Sequence, residues 1–240
     1  MIKLIKKAVI VAAGLSSRLY PLTLEKPKSL LELNDDPILI RNISLLNKYG
    51  IDEITIVVGY RKEMIINKVG KKASFIFNPF YKFCNNMGSL WFAKNHLNNE
   101  PFYYLHSDLV YTDLLLNNFI KDTKDSQSAI DLAVDFKETN DEAMKVKTTK
   151  NNLLIESSKE ISLDESDGEW IGLARINQSN DVFKYIEEAL ANEQYQVYDT
   201  FAFSNMAKDG YEIKCIKTNE EPWIGIDFLE DYKKAKELFK

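Results

Sequence analysis

An apolar run over residues 8–13 stops at Gly14, and the residues that follow, Leu15, Ser16, Ser17 and Arg18, lead into a second basic cluster, Lys26-Pro27-Lys28-Ser29. A loop leaving the carboxyl end of a first parallel strand lies at the usual ligand edge of such a sheet. The small residues Ala12, Ala13, Gly14, Ser16 and Ser17 let backbone N–H groups approach phosphate oxygens, and Arg18 and Lys28 would supply the positive charge that a triphosphate demands. The alternative is an ordinary strand-to-helix loop with incidental basic residues. Neither GxGxxG nor GxxxxGK[ST] is present, so the dinucleotide fingerprint and the Walker loop are both excluded.

A second feature is Tyr104-Leu-His106-Ser107-Asp108, where an apolar strand delivers an aspartate to its C-terminal end. A carboxylate there suits a hard cation that bridges phosphate oxygens; a turn or capping aspartate is the competing reading. A lone strand histidine such as His106 is more often packed than catalytic, and no role is given to it. Lys145, Lys147 and Lys159 lie on and beyond a hairpin, where lysines usually form only a solvated face. Cys84 and Cys215 lack a CxxC or CxH companion and His96 and His106 are the only histidines, which disfavours a zinc cluster and suggests reduced thiols in a cytoplasmic protein.

The elements that must position these groups alternate. Strands are expected over residues 8–13, 53–58, 73–78 and 102–106, and helices over 37–49, 62–69, 89–97 and 113–121. That rhythm implies a parallel sheet covered by helices. From a strand at 128–134 the pattern changes: 144–149 and 153–157 read as a hairpin about Lys150-Asn151-Asn152, followed by a strand at 170–176 and helices at 181–192 and 198–208. A strand at 211–218, a Pro-Trp loop and a helix from about Leu229 close the chain. The opening stretch is basic then apolar like a signal peptide, yet its apolar run is short and gives way to Arg18, so it reads as a buried strand. No stretch approaches the ~18 apolar residues of a membrane span. The net charge of -5 opposes binding a nucleic-acid polymer. With 240 residues, 45% of them apolar, and no repeat or linker, one domain is the simplest account.

The Gly14-to-Arg18 loop with its Lys-Pro-Lys companion resembles the signature of the nucleotidyltransferase family that includes sugar-1-phosphate nucleotidylyltransferases and the choline-phosphate and phosphonate cytidylyltransferases. The resemblance extends over nearly the whole chain. It implies an α/β fold: one domain with a Rossmann-like, mixed and mostly parallel sheet flanked by helices, of the nucleotide-diphospho-sugar transferase type. Residues 1–125 would form a nucleotide-binding half and 126–240 an acceptor-binding half. It also implies that the loop from Ala12 through Leu15 to Arg18 wraps the nucleotide and that Lys28 contacts its phosphates during transfer. Ser16 stands where the family usually has a second glycine. Tyr60, after Val58-Gly59, matches a strand end near the base, and Asn86 with Ser89 matches a segment lining the same pocket. Trp223-Ile-Gly225-Ile-Asp227-Phe-Leu-Glu230-Asp231 resembles the family's closing segment and makes Asp227 a second metal carboxylate beside Asp108, while Glu230 and Asp231 favour the start of the last helix. Two such carboxylates next to a triphosphate suit Mg²⁺. Lys159 would hold the acceptor's phosphate, with Lys145, Glu169 and Trp170 beside it.

The implied reaction is in-line attack by an anionic acceptor oxygen on the α-phosphorus of a nucleoside triphosphate, with release of pyrophosphate. The acceptor oxygen is already anionic and needs no general base; positioning and charge stabilisation would suffice. The short chain and the Met-Lys-Val, Ser-Lys and Gly-Glu-Trp-Ile-Gly runs look more like the small cytidylyltransferases, which makes CTP the expected nucleotide. Phosphocholine would need an aromatic cage, for which Trp170, Tyr198, Phe201, Phe203 and Trp223 are available. 2-Aminoethylphosphonate would need a carboxylate such as Asp131, Asp135 or Glu169. A sugar-1-phosphate, phosphoglutamine, or a catalytically silent nucleotide-binding regulator are the alternatives, and a homodimer is left open.

Overall fold

Successive side chains of a strand point to opposite faces, so an unbroken apolar run must be covered on both sides. The computed structural model, which describes residues 5–239, shows this in its central strand: Val9 and Val11 join one buried cluster, Ala8, Ile10 and Ala12 another on the opposite face. Residues 1–4, the start of the basic N-terminal stretch, lie outside the described residues.

In chain order the first half contains β1 (Lys7–Ala12), the short arms β2 (Glu32–Leu33) and β3 (Asp36–Pro37), α1 (Ile38–Lys48), β4 (Glu53–Val58), α2 (Lys62–Val69), β5 (Ser74–Phe77), α3 (Asn86–Trp91), α4 (Lys94–Leu97), β6 (Phe102–His106), β7 (Leu109–Tyr111) and α5 (Asp113–Thr123). The second half adds β8 (Ile130–Asp135), β9 (Lys145–Thr148), β10 (Leu154–Ser158), β11 (Gly168–Ile176), α6 (Ser179–Ala191), α7 (Asp199–Lys208), β12 (Ile213–Lys217), β13 (Trp223–Gly225) and α8 (Leu229–Leu238). The main sheet runs β10-β9-β11-β6-β1-β4-β5, with β8 on β11 and β12 on β8. Strands β5, β4, β1 and β6 are mutually parallel, as are β8 and β12, while β11 is antiparallel to β6, β8 and β9. The architecture is thus a single α/β domain around a mixed, mostly parallel sheet.

Besides the short strands β2, β3 and β7, which the sequence did not suggest, two stretches differ from the sequence expectation. The helix expected over 89–97 begins at Asn86, where the Asn85 carboxamide accepts from the Asn86 N–H, and it breaks at Phe92 and Ala93, whose N–H groups donate to Ser89 and Leu90 in tight i→i−3 fashion. The Pro-Trp stretch expected as loop contains β13, which pairs antiparallel with β7 in register Leu109↔Gly225. Three-residue strands are too short to show periodicity.

Candidate active site

Four chain segments meet at the carboxyl ends of β1 and β6. The parallel register that pairs Val11 with His106 puts the loop after β1 beside Ser107 and Asp108. The β7–β13 ribbon then does what no single segment can: the Ile226 N–H donates to the Asp108 carbonyl, so Asp227 follows directly alongside Asp108. Opposite them, Pro27 enters a short 3₁₀ turn over Lys28–Leu30 in extended conformation and delivers Lys28 inward. Lys26 turns outward and pairs with Glu32.

Lys28 Nζ lies 2.5 Å from Asp108 Oδ2 and 2.9 Å from Asp227 Oδ1. Burial alone would lower the lysine's pKa, but the two carboxylates outweigh it and hold it above the ordinary value. Burial likewise pushes Asp108 up, and the Lys28 ammonium, with His106, more than offsets it, leaving this carboxyl below its usual range. Arg18 forms an ion pair with Asp227 Oδ1 at 2.9 Å and donates to Glu142 Oε2 at 3.1 Å, and Lys159 reaches the same Glu142 oxygen at 3.2 Å. These three cations and three carboxylates, with Glu169 as a fourth, line one cleft of ≈ 380 Å³.

The loop after β1 is tied down by its own hydrogen bonds and by close packing. Ser16 sits in the left-handed region at φ 54°, a conformation that favours glycine; its carbonyl accepts from Thr23 Oγ1 at 2.7 Å and from the Leu19 N–H. Gly59 lets this loop approach: a Cβ there would stand 2.6 Å from the Ala13 carbonyl oxygen. Ala12, Ala13, Gly14, Ser16, Ser17, Arg18 and Lys28 line the cleft, as do Asn86, Ser89, Asp108, Lys159, Glu169, Trp170 and Asp227.

Three residues named from the sequence are placed elsewhere. Leu15 is half-buried and off the cleft wall. The Tyr60 hydroxyl donates to the carbonyls of Thr23 and Leu24, so this side chain clamps the outer part of the loop instead of facing the cleft. Lys145 is 2% exposed, and its ammonium donates to the carbonyls of Asn140 and Asp141, which turns it away from the acceptor end. Asp231 is where the sequence puts it, accepting from the Asp227 and Phe228 N–H groups at the start of α8.

Of the candidate carboxylates for an amine, Asp131 is fully buried and bonded by Ser126, Ser128 and Asn177, and Asp135 is tied to Lys137 and to Trp223 Nε1. Only Glu169 faces the cleft, and burial raises its carboxyl to about 7. Just beyond it β11 bulges: Trp170 pairs with Val134 but Ala174 with Leu132, and Gly172 at φ +88° passes close to His106, against which a Cβ would collide. Tyr198 and Trp223 share this wall, whereas Phe203 is buried edge-on against Trp170. Phe201 is partly buried, packed against the same core cluster as Phe203.

Sequence reasoning missed two groups. His106 lines the cleft, and its Nε2 lies 2.8 Å from Asp199 Oδ2; burial lowers its pKa, but the Asp199 carboxylate outweighs this and raises it. Asp199 also accepts from the Tyr104 hydroxyl, and Asn86 Oδ1 accepts from the Asp199 N–H. An aspartate in the first turn of a helix reads as an ordinary dipole partner, so nothing singled Asp199 out. Glu142, in a polar loop, was equally silent.

The sheet order and the cleft at its carboxyl edge define the nucleotide-diphospho-sugar transferase architecture. The nucleotidyl transferase family model matches residues 7–144, and the chain belongs to that family and is a nucleotidyltransferase. It is 29% identical to the choline-phosphate cytidylyltransferase of Streptococcus pneumoniae, over 98% of both chains. It is 24% identical to the CTP:phosphoglutamine cytidylyltransferase of Campylobacter jejuni, over 93% of this chain and 96% of that one. The solved CTP:phosphocholine cytidylyltransferase from S. pneumoniae superposes with a TM-score of 0.80 at 24% identity, covering 98% of this chain and 99% of that one. Among the described residues no helix is long and apolar enough to cross a membrane.

Proposed function

We propose that the chain transfers CMP from CTP to a small phosphorylated or phosphonylated acceptor of the phosphocholine or 2-aminoethylphosphonate type and releases pyrophosphate. The observation that carries this reading is the convergence of Lys28 on Asp108 and Asp227 at the edge where the β1 loop presents its backbone, with Arg18 and Lys159 one step further along the same cleft. Full-length similarity to two cytidylyltransferases supports CTP as the nucleotide.

Residues 1–125 would hold the nucleotide: the loop from Ala12 to Ser17 around it, Asn86 and Ser89 beneath it, and Lys28 and Arg18 on its phosphates. Residues 126–240 would hold the acceptor, with Lys159 on its anion and Glu169, Tyr198 and Trp223 around its ammonium. Lys28 and Arg18 gain most when negative charge moves from the α-phosphate toward the departing pyrophosphate, and their fixed positions avoid reorganisation at that moment. Lys159 orients the attacking oxygen and no residue need take a proton from it.

Asp108 and Asp227 fit a divalent cation. Both reach a single point, now taken by Lys28 Nζ, and both offer only oxygen donors. No group of three or more His, Cys, Asp or Glu residues able to hold a metal occurs among the described residues, so waters and phosphate oxygens would complete the shell, as Mg²⁺ prefers. Bound there, Mg²⁺ would neutralise triphosphate charge. A cytoplasmic location accords with the two free cysteines.

The test is a grid of four nucleoside triphosphates against phosphocholine, 2-aminoethylphosphonate, phosphoglutamine and hexose-1-phosphates, read as Mg²⁺-dependent pyrophosphate release. CTP with an amine acceptor should dominate. Release with every acceptor except the amines would remove the acceptor assignment, and no release with any pair would favour a silent nucleotide-binding regulator.

A further inference from the structure

Arg18 and Lys159 come from opposite halves of the chain, yet they donate to one and the same oxygen, Glu142 Oε2, at 3.1 and 3.2 Å. Two cations that converge on a single oxygen define a seat for an anionic oxygen, and here a side chain of the protein itself fills it. Arg18 is held in place from its other side by Asp227 at 2.9 Å. The loop that carries Glu142 is anchored below the carboxylate: Lys145 Nζ donates to the carbonyls of Asn140 and Asp141, and the Asn140 side chain accepts from the Glu142 N–H at 2.9 Å. The carboxylate itself is 58% exposed, so it can swing into solvent without disturbing that anchor.

We infer that Glu142 is an internal competitor for the acceptor's anion: it occupies the phosphate or phosphonate seat at Lys159, to which Arg18 reaches across from the nucleotide's phosphates, and must leave when the acceptor binds. The inference rests on the assignment of Lys159 to the acceptor. An exposed carboxylate held by surface ion pairs is a weak occupant. A phosphoryl or phosphonyl group with more charge and more oxygens displaces it, while a weakly held monoanion does not. Lys145, absent from the cleft, then acts at one remove by fixing the loop that presents the competitor.

The experiment compares Glu142→Gln with Glu160→Gln, which removes a nearby negative charge whose carboxylate bonds neither cation. In the full chain, the Kd of inorganic phosphate by calorimetry and the acceptor KM at saturating CTP should both fall roughly three- to tenfold in Glu142→Gln. Glu160→Gln should change neither, and adding Lys159→Ala to Glu142→Gln should abolish the gain. Equal gains in the two glutamine variants, a gain that survives loss of Lys159, or weaker binding in Glu142→Gln would overturn the inference. Should Lys159→Ala alone leave the acceptor KM unchanged, the acceptor assignment itself fails; a raised KM there with an inert Glu142→Gln leaves that assignment standing and removes only the internal competitor.

Discussion

At the nucleotide end of the cleft the functional groups leave parallel strands: the Ala12–Arg18 loop follows β1, Asp108 follows β6, and the register of those strands fixes their separation. At the acceptor end they hang from an antiparallel hairpin and a bulged strand, where Lys145 and Lys159 lie at the open end of the same hairpin but only Lys159 enters the cleft. Parallel strand ends position backbone and short side chains, and those have little freedom. The hairpin positions only the Cα of a lysine, and four further torsions decide where the charge goes. The difference teaches that equivalent residue types are readable as functional at one end and ambiguous at the other.

The most damaging way to test the nucleotide end is Lys28→Ala. Loss of a charge preorganised against developing negative charge should cost about 2–4 kcal/mol of transition-state stabilisation, roughly a 30- to 10³-fold fall in kcat, with a folded protein by circular dichroism. An active Lys28→Ala enzyme would put the phosphates elsewhere.

Glu169→Gln probes the acceptor end through stability. Its carboxyl is raised from 4.5 to about 7 by burial, so the folded state holds a proton that the unfolded state has already lost. Stability contributed by the neutral form is present below about 4.5 and is lost as pH rises toward 7. Removing the titration should stabilise the ligand-free protein at pH 8 by on the order of 2–3 kcal/mol and change little at pH 4.5. Thermal melts at the two pH values check this; a pH-independent effect contradicts it.

The two lysines provide the sharpest contrast. Lys145→Met keeps the volume but leaves two carbonyls without their donor, so urea unfolding should show a loss of about 1–3 kcal/mol with a smaller change in acceptor KM than Lys159→Ala produces. Lys159→Ala should raise the acceptor KM about tenfold with the CTP KM unchanged. A reversal of these two patterns would show that the hairpin's roles have been exchanged.

The sequence was informative where local chemistry and geometry coincide. The apolar run ending at Gly14 and the aspartate just after β6 identify their own positions because a strand end has one exit. Asp227 could be tied to Asp108 only through resemblance, since the β7–β13 ribbon that joins them is too short to carry a pattern. Tyr60 misled because a tyrosine after a strand can reach back over the loop as easily as into the cleft, and its hydroxyl found two carbonyls there. Glu142 and the His106–Asp199 pair depend on tertiary contacts across the chain and leave no local trace.

The central claim, one transfer reaction across both ends, is tested most directly by ³¹P NMR of the purified chain with CTP, Mg²⁺ and phosphocholine or 2-aminoethylphosphonate. The account predicts that the β-phosphate signal of CTP disappears while inorganic pyrophosphate and a new cytidylyl-acceptor species appear in equal amounts. Unchanged CTP with each amine acceptor, or hydrolysis to CMP or CDP without a joined product, would contradict it.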